Sequence, residues 1–156
     1  MSTENNENIP FKLTWKINTI GIWLILIMII QIVIAYFTYR NFIEDGLKNI
    51  ILISLSGGLG GTIYCLRGFY QQIGKKEFNT YWFWWYIIRP IASIVMGAFS
   101  YFLVAGGLLI ISTSPDLSQD KGLMFFCSLA FIVGISFTRF MDKIYQVAEV
   151  MFSPKN

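Results

Sequence analysis

Residues 20–39 read IGIWLILIMIIQIVIAYFTY, and this stretch sets the terms for the whole chain. From Thr19 to Tyr39 there is no charged side chain, and Gln31 is the only strongly polar one. About 20 residues at ~1.5 Å rise match a hydrocarbon core of about 30 Å. The run is too long for a cleaved leader, and no A-x-A-like site follows it, so an uncleaved membrane-spanning helix is expected. The residues before it (MSTENNENIP, then Lys12 and Lys16) are polar. Residues 1–16 therefore read as a disordered cytoplasmic tail.

Three further apolar stretches follow. The second, about 50–66, is rich in small residues: Ser54, Gly57, Gly58, Gly60 and Gly61. In water such glycines would argue for a loop. In lipid an unpaired backbone is costly, so a helix is expected, continuing towards Ile73 with Gly74 as its C-cap. The third, about 91–111, follows Tyr81-Trp82-Phe83-Trp84-Trp85-Tyr86, six consecutive aromatics, and then Arg89-Pro90. Trp and Tyr prefer the headgroup level, so this segment reads as interfacial, with Pro90 kinking or opening the span. The fourth, about 122–138, runs on after Arg139 as an amphipathic helix. There Phe140, Ile144, Val147 and Met151 recur on one face, and Asp142, Lys143, Gln146 and Glu149 fill the others. The expected fold is all-α: a four-helix transmembrane bundle over 17–152 with an interfacial aromatic segment, an amphipathic C-terminal extension and a short tail at 153–156.

Composition agrees with this. Of 156 residues, 55% are hydrophobic and 13% charged, about half the ~25% charge of soluble domains. A net charge of +3 is too small and too dispersed for nucleic-acid binding. Orientation follows from Lys and Arg, which gather on the cytoplasmic side. The N-terminal tail, the Arg67–Arg89 connection and the C-terminal segment hold nine, against three (Arg40, Lys48, Lys121) on the opposite side. Both ends are thus expected inside.

Chemistry is sparse. There is no histidine, the commonest general base and metal ligand. Cys65 and Cys127 lie in apolar runs at different expected depths and read as small hydrophobes, not a bridge. The carboxylates all fall outside the expected spans. Glu44-Asp45 and Asp116/Asp120 share the outer side, where turn and cap roles compete with a cation site. No H-E-x-x-H, G-x-S-x-G or P-loop is present, nor a potassium filter. No enzyme, cofactor or metal centre is expected.

Four features stand out. Ser54, Gly57, Gly58 and Gly61 let helices approach closely, either within one chain, at an oligomer interface, along a pore or at a hinge. Gln31, an amide at mid-span, needs a partner; Ser54 and Ser100 are candidates, and a pore-facing role is the alternative. Arg67, near Phe69 and Tyr70, and Arg89, near Trp84, Trp85 and Tyr86, read as interface anchors, as a site for anionic lipid headgroups or as a cytoplasmic vestibule that attracts anions. The extension 139–152 reads as a surface or assembly helix. The second span offers much small-residue surface suited to a close neighbour. Hence the expected partners are lipid and a second copy or another membrane protein, and the expected function is a small pore or a non-conducting accessory subunit.

The run Gly57-Gly58-x-Gly60-Gly61-x5-Arg67-x-Phe69-Tyr70, followed by Trp85-Tyr86-x-x-Arg89-Pro90, Tyr101 and Gly106-Gly107-Leu108, resembles a pattern in small uncharacterised bacterial multi-span membrane proteins. The resemblance covers about residues 55–110. It implies a protein of the bacterial cytoplasmic membrane and carries no activity.

Overall fold

The computed structural model describes residues 11–40, 45–75, 82–106 and 120–152. Among these, five helices follow in order: α1 (Phe11–Arg40), α2 (Asp45–Gly74), α3 (Phe83–Ala105), α4 (Asp120–Ile135) and α5 (Phe137–Phe152). No strand occurs among the described residues. The glycine-rich stretch is helical throughout, because a backbone surrounded by hydrocarbon must bond to itself. Hydroxyls within the helices follow the same logic. Thr19, Ser54, Thr62 and Ser128 each donate to the carbonyl four residues back, and Ser100 to that of Gly97.

Helices α1, α2 and α3 are long and apolar enough to cross a membrane. A fourth candidate span exists only if α4 and α5 are counted together, and these are bent by 99° at Ser136. Helix α4 alone, with 16 residues, rises about 24 Å.

Three sequence expectations shift. Residues 11–16, read as part of a tail, are the first turns of α1; residues 1–10 lie outside the described residues. The third helix starts at Phe83 and ends at Ala105, so its window sits upstream of 91–111. Phe83–Tyr86 form its first turn, and Pro90 is buried inside it. Only Pro90 among these residues lacks an N–H, and a membrane helix tolerates the loss of one backbone bond. The C-terminal amphipathic helix exists, but across a sharp turn and not as a straight continuation of α4. Its polar side chains cannot follow α4 along the line of the spans.

Helix α2 is the hub, packing against α1, α3 and α4. Three levels succeed one another along it. Near one end Ile20 and Leu24 of α1, Cys65 and Phe69 of α2 and Tyr86 of α3 form a buried cluster, with Phe69 edge-on to Tyr86 at 5.8 Å. Near the other, Ile53, Val104, Phe126 and Ala130 join α2, α3 and α4. Between them lies a level built from glycine and small polar residues. The outer surface is apolar: on α1, Ile22, Ile29, Val33 and Phe37 are all exposed.

Candidate functional site

The middle level brings together most of the residues singled out by sequence. Gly57 lies against Gly97 of α3, and a Cβ built on Gly57 would stand 2.6 Å from the Gly97 Cα. Seen from the other side, a Cβ on Gly97 would meet the carbonyl oxygens of Ser54 at 3.1 Å and Ile53 at 3.2 Å. Gly61 abuts the Ser93 side chain of α3, and Gly60 the Phe131 carbonyl of α4. Gly134 of α4 meets the backbone of Gly57 and Gly61. One short stretch of α2 thus carries two helix crossings at backbone contact. Of the roles open to this small-residue face, the described residues show packing within the chain, between α3 and α4. Small residues at both crossings let this chain close that gap by itself.

Gln31 completes the level. It is 2% exposed and faces Gly58 and Thr62 of α2. Thr62 Oγ1 stands 3.3 Å from Gln31 Oε1 and donates to the Gly58 carbonyl at 2.8 Å. One hydroxyl proton cannot serve both acceptors fully. Turning the amide by half a rotation lets the Gln31 amide nitrogen, otherwise buried without an acceptor, donate to Thr62 while the hydroxyl keeps Gly58. The proposed partners Ser54 and Ser100 bond instead to the carbonyls of Ile50 and Gly97. The reason is the α1–α2 register: with Gly21 set against Phe69, Gln31 comes level with 58–62. A further tie is Ser56, which donates to the Cys127 carbonyl of α4 at 2.7 Å. Ser93 Oγ is buried without a partner.

The two arginines part company. Arg67 is exposed. Arg89 is 7% exposed, and its guanidinium carbon sits 4.6 Å from the ring centre of Phe137, 5.0 Å from Tyr64 and 5.1 Å from Trp85. The cage thus draws one ring each from α5, α2 and α3. Trp82 and Trp84 point outward, 54% and 67% exposed, while Trp85 turns inward, edge-on to Tyr86 at 5.1 Å. At the opposite end of the bundle Arg40 lies over Tyr36 and Lys48 over Tyr39, the pattern of cations anchored at an interface.

The described residues contain no group of three or more His, Cys, Asp or Glu suited to a metal, and Cys65 and Cys127 are free thiols. Glu44 and Asp116 lie outside the described residues, as do the side chains of Asp45 and Asp120. Sequence reasoning missed Thr62, Gly134, Tyr64 and Phe137. Ser93-x-x-x-Gly97 repeats the small-residue spacing of α2 and could have flagged α3 as its partner. Nothing could have flagged Phe137, because it reaches Arg89 only through the turn at Ser136.

Comparison of the chain with family models, with curated proteins and with solved structures finds no match.

Proposed function

We propose that this chain is a multi-pass protein of the bacterial cytoplasmic membrane, with both ends in the cytoplasm, acting as a non-conducting accessory or assembly subunit. The observation that supports this reading over a pore is the position of the polar atoms. Gln31, Thr62, Ser93 and Ser100 are each 2% exposed or less, and Gly57, Gly58, Gly60 and Gly61 are buried with them. A path for ions needs such groups to face water. Here they lie inside the chain, where α2 packs closely against α1, α3 and α4. A channel formed between copies would be lined by the exposed Ile, Val and Phe of α1 and α3. That surface suits lipid or an apolar partner helix. The uneven distribution of Lys and Arg supports the orientation, which requires α4 to complete a fourth crossing.

The test has two arms. Purified protein reconstituted in liposomes and planar bilayers should give no ion or solute flux above empty membranes. Photo-crosslinkers at Ile22, Ile29 or Val33, used in native membranes, should form adducts with one distinct polypeptide. Unitary conductance from the pure protein would overturn the reading, as would adducts made only with lipid.

A further inference from the structure

A guanidinium group carries five N–H donors and a permanent charge. Arg89 satisfies none of those donors from the described residues. Its Nε is fully enclosed without an acceptor, and no ion pair or hydrogen bond joins the guanidinium to any described residue. Three aromatic rings flank it instead. Rings compensate part of a cation's charge, but they supply no strong acceptor for N–H groups that point past them. An arginine this buried needs an anion to offset its desolvation.

The surroundings say which anion. The cage sits where α4 gives way, through the 99° turn, to amphipathic α5. It lies within two helical turns of the exposed Trp82 and Trp84. These features place it at the membrane–water boundary, the depth of lipid phosphates. The same end is cationic: Arg67, Lys75, Arg139 and Lys143 are exposed there, against Asp142 and Glu149. We propose that Arg89, held in the Tyr64–Trp85–Phe137 cage, grips one phosphate oxyanion, supplied by a phospholipid headgroup at this face. The fork of donors matches two oxygens of a phosphate. Phe137 makes the site depend on the α4–α5 turn, so an occupied site would tie α5 to the bundle. The inference rests on the membrane setting and not on the accessory role.

Native mass spectrometry of the full chain, released from detergent with phosphatidylglycerol present, counts the lipid it keeps. Wild type should retain one phospholipid more than Arg89→Gln, with affinity for that lipid about ten- to a hundredfold weaker in the variant, the size of a charge-assisted contact. Arg67→Gln, at an exposed position, should retain lipid as wild type does. Delipidated wild type is then titrated with short-chain phosphatidylglycerol or with inorganic phosphate, read by tryptophan fluorescence. A response to the lipid alone supports the headgroup; a response to both supports the oxyanion site with a soluble source competing. This arm decides the matter even where Arg89→Gln fails to fold. Equal lipid retention in wild type and Arg89→Gln overturns the proposal, as does a wild type indifferent to both titrants. An ion pair with a carboxylate of the chain itself, such as Glu77, predicts that result.

Discussion

A methyl group added at Gly57 would stand 2.6 Å from the Cα of Gly97, closer than packed atoms tolerate, and backbone cannot yield as a side-chain tip can. Gly57→Ala should therefore destabilise the bundle by about 1–3 kcal/mol, the usual cost of overpacking. Gly46→Ala, with nothing within 4 Å of the new Cβ, should be neutral or stabilising by up to about 1 kcal/mol through helix propensity. Unfolding by SDS in mixed micelles measures both. Equal effects at the two glycines would mean that the crossing is looser than described. Gln31→Leu should cost little, about 0.6 kcal/mol and below ~2, because Thr62 keeps its bond to Gly58. A larger loss in the same assay would give Gln31 a role beyond this one contact. At this level of detail the sequence was only partly legible. It marked Gly57, Gly61, Gln31 and Arg89, but treated Arg67 and Arg89 alike. Each stands at one end of an apolar run with aromatics nearby, and only packing decides that one guanidinium faces water and the other three rings.

Helix α5 shows what composition can and cannot say about a helix. Phe137, Phe140, Met141, Ile144, Ala148 and Met151 share one face, with Arg139, Asp142, Gln146 and Glu149 opposite. None of its residues is buried within the chain, yet Tyr145, Met151 and Phe152 are exposed apolar groups that need cover. Turned 99° from α4, the helix can rest its apolar face in lipid. Spin labels at Ile144 and Met151 should be relaxed mainly by oxygen in liposomes, and labels at Asp142 and Glu149 mainly by a water-soluble nickel complex. Uniform exposure to the nickel reagent would place α5 away from the membrane. The periodicity of this helix was readable in advance; its direction was not. A pattern of 3.6 residues per turn is the same whether α5 extends α4 or turns from it at Ser136. The upstream placement of α3 has a similar cause, since aromatics can begin a helix as readily as they line an interface.

The bundle as a whole puts α2 between three neighbours and leaves α1 largely facing outward. If α4 crosses the membrane with the other three, the two ends share a side. Asn5→Cys and Lys155→Cys should then both resist an impermeant maleimide in intact cells, while Asp116→Cys reacts. Labelling of one end alone would make α4 a helix that enters and does not cross. The native thiols interfere little, with Cys65 buried and Cys127 half-buried.

The membrane setting, the helical state of every described segment and the approximate places of the helices were determined by the sequence alone. Runs of uncharged side chains long enough to span hydrocarbon leave the backbone no other way to satisfy its hydrogen bonds. Which neighbour each small or polar side chain would meet was decided only by tertiary structure. A glycine specifies that something can come close, and an arginine that something must answer its charge. The angles between helices choose what does: Gly97 and Gly134 for the α2 stripe, Thr62 for Gln31, and a ring from across the α4–α5 turn for Arg89.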